Sequence, residues 1–159
     1  MKLEDGLVIY ESFDSNFWKF TSELEKKTEE MLTLLADNNY KPSDSDKARA
    51  HKLLDDIESW KAGCDEEKKG NRAILNSPLD VWNALRDAMK ADKDLAAIQS
   101  IMTLNGFGKT TRTSKRASAV MRMFKPNDWG VVDWRAAAML KHLELSNWDV
   151  DKALRTATA

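Results

Sequence analysis

Apolar residues recur three and four positions apart through almost the whole chain, and residues that start or stop helices break the runs at short intervals. That combination leaves little room for a sheet and predicts an all-α fold. Phe17, Phe20, Leu24, Met31, Leu34 and Leu35 mark an amphipathic helix from Asp14 to Asp37, ended by Asn38-Asn39-Tyr40-Lys41-Pro42. Ser43 caps a second helix with Ala50, Leu53, Leu54, Ile57 and Trp60 on one face and Gly63 as terminator. Cys64 to Asn76 reads as a polar connection. Ser77-Pro78 starts a third helix with Val81, Trp82, Leu85, Ala88 and Met89 apolar. Asp94 caps a fourth with Leu95, Ile98, Ile101 and Met102, which stops at Leu104-Asn105-Gly106-Phe107-Gly108. A fifth begins near Ser114 and carries Ala117, Val120, Met121 and Phe124, before a turn at Pro126-Asn127-Asp128-Trp129-Gly130. Asp133 caps a sixth, Trp134 to about Leu143, and Ser146 a last one. The expectation is a compact bundle of about seven helices with short loops. Residues 1–13, which include Gly6-Leu7-Val8-Ile9-Tyr10, form an N-terminal arm or short strand, and 14–159 a single helical domain.

Composition narrows the function classes. Of 159 residues, 42% are hydrophobic and 32% charged, which is globular and water-soluble rather than disordered. No apolar run nears the roughly 18 residues of a membrane span, and Met1-Lys2-Leu3-Glu4-Asp5 lacks the apolar core of an export signal. Cys64 is the only cysteine, so this chain alone builds no disulfide, four-cysteine zinc site or iron–sulfur cluster. A cytoplasmic location is expected. Net charge is −1, but it is unevenly spread: 15 basic against 21 acidic residues in 1–100, and 10 against 5 in 101–159. Lys109, Arg112, Lys115, Arg116, Arg122 and Lys125 fall between Leu104 and Asn127 with no acid among them.

Two familiar chemistries fail on spacing. Gly108-Lys109-Thr110 suggests a phosphate-binding loop, but that motif needs glycine where Thr103 stands and a strand before the loop. His51, His142 and Cys64 show no metal-ligand spacing, so no metal and no cofactor are expected. The six tryptophans mostly fall on apolar helical faces; Trp129 and Trp134, on either side of Asp133, are candidates for base stacking or for lining a cleft.

The informative stretch is Leu104 to Arg135, LNGFGKTTRTSKRASAVMRMFKPNDWGVVDWR. It reads as a helix end, a glycine-bracketed hairpin, a basic helix N-terminus, a turn, and an aspartate at another helix N-terminus. The glycines permit a tight turn with outward backbone N–H groups. The next helix adds unsatisfied N–H groups and the positive end of its dipole. Together they predict an anion site suited to DNA phosphate, with Gly106, Phe107, Gly108, Lys109 and Arg112 as its residues. Arg116, Arg122, Lys125 and Arg135 are further candidates, some of which must face solvent elsewhere.

This stretch resembles the helix-hairpin-helix DNA glycosylases, the superfamily of endonuclease III and 8-oxoguanine DNA glycosylase. Those proteins carry a Leu-Pro-Gly-Val-Gly hairpin, a helix of small and aliphatic residues, and Val-Asp at the start of a further helix. Leu104, Gly106, Phe107 and Gly108 match the hairpin, with Asn105 in place of proline; Ala117, Ser118, Ala119 and Val120 match the small-residue helix; Val131, Val132 and Asp133 match the aspartate segment. The resemblance places a helix-hairpin-helix and catalytic-type segment at 94–143. It implies base excision from DNA, with Asp133 catalytic and a lysine nucleophile forming a Schiff base in members with AP lyase activity. Lys115 keeps the family's spacing to Asp133, eighteen residues, while Lys109 directly follows the hairpin; both stay open as the nucleophile. Thr110 to Ser114 look like an insertion.

Geometry allows the pairing of Lys115 with Asp133. A helix from Lys115 to Phe124 is about 15 Å long, and the return from Lys125 to Asp133 spans up to about 30 Å. The sequence is short after Asp133, with 26 residues where the resemblance implies several helices, so a homo-oligomer or partner subunit completing the cleft is expected alongside DNA, and no membrane. Two alternatives stand beside the enzyme: a non-catalytic DNA-binding module that keeps the hairpin, and a helical interaction domain whose basic strip meets an acidic protein.

Overall fold

A computed structural model describes residues 15–64, 67, 69–108 and 114–130. Among these residues the protein is all-α. It has five α-helices, α1 (Ser15–Ala36), α2 (Asp44–Lys61), α3 (Pro78–Lys90), α4 (Asp94–Met102) and α5 (Lys115–Phe124), and a single 3₁₀ turn, Ala73–Leu75. The expected arm at 1–13, the helix from Trp134 and the last helix from Ser146 lie outside the described residues.

Side-chain caps set where two helices begin. The Ser43 hydroxyl accepts the Asp46 N–H at 3.2 Å, and the Asp46 carboxylate accepts the Ser43 N–H at 2.9 Å, a reciprocal capping box at the start of α2. At α3 the Ser77 hydroxyl accepts the Asp80 N–H at 3.1 Å, and Pro78 occupies the first turn, where its missing N–H costs nothing. The end of α2 is equally local. Cys64 N–H reaches the Ser59 carbonyl at 2.8 Å and Gly63 N–H the Trp60 carbonyl at 2.9 Å, with Gly63 at φ +69°. This is a Schellman ending, and the left-handed Gly63 makes it without a Cβ clash.

Two expected details differ. Lys93, not Asp94, is the cap of α4; Asp94 is its first helical residue, where a carboxylate still favours the helix dipole. Leu95, expected on the apolar face of α4, is exposed together with Asp94 and Ala96 beside it, and the burial of α4 starts at Ala97. The polar connection after α2 contains the 3₁₀ turn.

The core is one cluster fed by every helix: Leu24, Met31 and Leu35 from α1, Leu53, Leu54 and Ile57 from α2, Val81, Trp82 and Leu85 from α3, Ile101 from α4, and Val120, Met121 and Phe124 from α5. Helix α1 packs on α2, α3 and α5, α2 on α3 and α5, and α4 on both α3 and α5. Ala117, Ser118 and Ala119 are all buried, so small side chains let α5 sink among its neighbours.

The Asp46 carboxyl is held below its ordinary 3.8, first by the Ser43 hydroxyl, then by the Tyr40 hydroxyl at 2.8 Å and the Ser43 N–H. A carboxyl lowered by folding contributes stability above its unfolded pKa and loses it as pH falls. Asp46→Asn is therefore expected to melt below the parent at pH 7, with the gap narrowing as pH drops below about 4. Thermal melts of both proteins across that range check the sign.

Candidate nucleic-acid interface

Helices α4 and α5 flank the Leu104-Asn105-Gly106-Phe107-Gly108 turn. The chain leaves α4 through Leu104 N–H to the Ile101 carbonyl at 3.1 Å, then folds back through Phe107 N–H to the Leu104 carbonyl at 3.1 Å. Gly106 stands at φ +81° and Gly108 at φ +151°, both left-handed conformations that L side chains rarely adopt. Space imposes the same choice. A Cβ on Gly106 would lie 2.6 Å from Arg72 Cβ, and one on Gly108 2.6 Å from Met102 Cβ. Between them Phe107 is driven into the core, 1% exposed.

The expectation that this turn offers its amides outward meets a different arrangement. Gly106, Phe107 and Gly108 are all buried, and the Phe107 N–H turns back onto the chain. The reason is Phe107 itself: an aromatic ring seeking the core pulls the turn in behind it. Over Gly106 lies the aliphatic stem of Arg72.

Two asparagines fasten the turn to the 3₁₀ segment. Asn76 Oδ1 accepts the Asn105 N–H at 2.8 Å, while Asn76 Nδ2 donates to the Asn105 and Arg72 carbonyls, each at 3.1 Å. Asn105 Nδ2 donates in turn to the Leu75 carbonyl at 3.3 Å. This brace carries Ile74 and Leu75, whose side chains are 68% and 50% exposed despite being aliphatic.

A buried acid completes the frame. Glu58, on α2, accepts the Arg72 N–H at 2.6 Å and the Ala73 N–H at 2.7 Å through Oε2. Its Oε1 makes no hydrogen bond and faces Arg116 Nε at 3.5 Å, a charge pairing from α2 to the first turn of α5. Arg116 Nη1 also donates to the Gly106 carbonyl at 3.5 Å. Lys115 is half-buried at the N-terminus of α5, next to Ser114, which caps through backbone position alone.

The other named residues separate into two sets. Lys109, Arg112, Asp133, Trp134 and Arg135 lie outside the described residues. Trp129 is half-buried against the core; its Nε1 and Arg122 Nη1 are each buried with no hydrogen-bond partner among the described residues. Sequence reading missed Glu58, Arg72, Ile74, Asn76 and the inward engagement of Arg116. Asn76 left one signal, an amide directly before the Ser77-Pro78 helix start, in a position where turn residues recruit backbone partners.

A cleft of about 320 Å³ lies on the α3 side of the brace, lined by Asn76, Asp80, Asn83, Ala84, Asp87, Ser100, Thr103, Leu104 and Asn105. Among the described residues it holds two carboxylates and no cation, which disfavours phosphate. No protein family matches the chain, and comparison with curated proteins and with solved structures returns no significant match.

Asn76 holds the Asn105 backbone and Asn105 holds the carbonyl of Leu75, next to Asn76, so their contributions are coupled. Asn76→Ala is expected to cost about 1–3 kcal/mol by leaving buried polar groups unpaired. Asn105→Ala is expected to destabilise as well, and the double variant to lose less than the sum of the singles. Urea denaturation of the four proteins measures the cycle; strict additivity overturns the brace.

Proposed function

We propose that this chain binds duplex DNA across the 104–108 turn and excises a base from it, as a helix-hairpin-helix type DNA glycosylase with AP lyase activity. One juxtaposition supports the reading above the rest: an exposed aliphatic pair, Ile74 and Leu75, is fastened by hydrogen bonds to a glycine turn that leads to Lys115 and Arg116. Basic side chains at such a turn neutralise backbone phosphates without reading sequence. Aliphatic side chains held rigidly in solvent beside them suit insertion between base steps, which opens the stack and lets one nucleotide swing out. The acidic half of the chain and the cleft at Asp80 and Asp87 face no such task.

The chemistry rests on the sequence resemblance. The amine of Lys115, or of Lys109, attacks C1′ of the extruded nucleotide. The C1′–N bond breaks, and the base leaves with a proton that the attacking amine gives up. The C1′–O4′ bond then opens as O4′ takes the amine's second proton, which leaves the sugar as a Schiff base on the lysine; loss of a C2′ proton to water breaks the C3′–O bond, and the phosphate departs with that electron pair. Asp133, ionised, stabilises the positive charge that develops on the sugar as the base departs. A second copy or a partner subunit completing the cleft walls belongs to the same reading.

Fluorescence anisotropy on duplex DNA and a panel of lesion-bearing oligonucleotides test this together. The parent is expected to bind with affinity that falls steeply with salt. Asp133→Asn is expected to bind equally well and to lose excision about 100-fold or more. Borohydride is expected to trap the parent on abasic DNA and to lose that adduct in Lys115→Gln or Lys109→Gln, whichever holds the nucleophile. Binding without excision across the panel leaves a DNA-binding module and removes the enzyme; salt-independent or absent binding removes both.

A further inference from the structure

The glycine turn is buried, yet two arginine side chains meet it from different elements, Arg72 through its aliphatic stem and Arg116 through its guanidinium. The stem of Arg72 lies so close over Gly106 that its Cβ, Cγ and Cδ all fall within 2.8 Å of the point a Gly106 Cβ would occupy. Arg116 reaches the same glycine from α5, donating through Nη1 to its carbonyl. A second glycine repeats the pattern. A Cβ on Gly70 would stand 2.7 Å from Arg116 Nη2 and 3.4 Å from Arg72 Cγ, so the two side chains flank one small space. Gly70 and Gly106 thus form two seats that any larger residue would fill.

The charges around these seats are unequal. Glu58 faces Arg116 from below and is itself 3% exposed at its side chain, so its charge is directed inward, while Arg116 keeps 31% exposure. Arg72 is exposed and has no ion-pair partner among the described residues; its own backbone N–H, not its guanidinium, is what Glu58 holds. Among the described residues, the charged side chains over Gly106 are these two arginines. Arginine rather than lysine at both places supplies planar forks that match the oxygens of a phosphodiester.

We propose that Arg72 and Arg116, seated on Gly106 and Gly70, form a two-guanidinium clamp for one backbone phosphodiester of DNA, so that side chains rather than the turn's own amides make this phosphate contact. The clamp rests on the DNA-binding reading and specifies where one strand crosses the molecule: over Gly106, beside Ile74 and Leu75. Glu58 is a positioning residue here. It fixes the Arg72 backbone and the Arg116 Nε while leaving the remaining N–H donors of both forks for the ligand.

Two variants test the clamp by different routes. Arg72→Gln keeps the stem over Gly106 and removes the charge. It is expected to weaken duplex DNA binding about tenfold, equally for unrelated sequences, and to reduce the slope of log K against log salt by about 0.9, the value of one phosphate. Gly70→Ala leaves both arginines in the sequence and displaces the Arg116 guanidinium; it is expected to weaken binding and to lower the salt slope, as Arg72→Gln does. Circular dichroism and thermal melting confirm that both variants fold. An Arg72→Gln protein with the parent's affinity and slope overturns the clamp while the DNA reading stands. A parent that fails to bind duplex DNA at low salt overturns both. A Gly70→Ala protein that binds as the parent does removes Arg116 from the site.

Discussion

The buried carboxylate of Glu58 is the interaction on which the described structure turns. It is one side chain joined to three elements: α2, which carries it, the 3₁₀ turn through two backbone N–H groups, and α5 through Arg116. Burying a carboxylate is expensive unless its lone pairs are met, and here one oxygen is fully bonded while the other depends on a single guanidinium. Removal of one partner from such a pair characteristically costs about 3–5 kcal/mol, because the surviving charge is stranded. Arg116 is therefore committed to the interior as much as to the surface. The position of the turn follows, since Arg116 also bonds the Gly106 carbonyl.

The helical framework was legible in the sequence because helices are short-range objects. Ser43 with Asp46, Ser77 with Pro78, and Gly63 after Trp60 act within four residues of themselves, and the apolar stripe needs only a period of 3.6. Leu24, Leu54, Leu85, Val120 and Phe124 were expected in the core from that period alone and are buried. The misses have the same origin. Leu95 fits the stripe of α4, but the stripe does not say which turn of a helix its neighbours cover. Asp94 and Lys93 differ by one residue, and which of them caps depends on the backbone conformation at Lys93, φ −122° and ψ 137°.

The candidate site was legible only in outline. Gly106 and Gly108 announced a turn, and the basic run announced an anion, but much of what fastens the turn comes from residues 29 and more positions away. Asn76 meets Asn105, Arg72 meets Gly106, and Glu58 meets Arg116. None of these pairs has a local signature, since an asparagine or arginine is ordinarily a surface residue whose partner is solvent. Phe107 also reads differently in context. In the sequence it is part of a hairpin that presents its backbone; in the fold its ring belongs to the core and draws the hairpin inward.

Charge and geometry together give the turn two unlike sides. The brace of Asn76 and Asn105 is uncharged, and it borders the cleft that holds Asp80 and Asp87. None of Arg72, Lys115 and Arg116 lines that cleft, so the positive groups and the acidic cleft do not cancel at one place. A chain of net charge −1 thus keeps its arginines over Gly106 apart from the acidic cleft, with amide side chains, which carry no charge, in the brace beside them. Replacing the brace by an ion pair would hold the turn as firmly and blur that division.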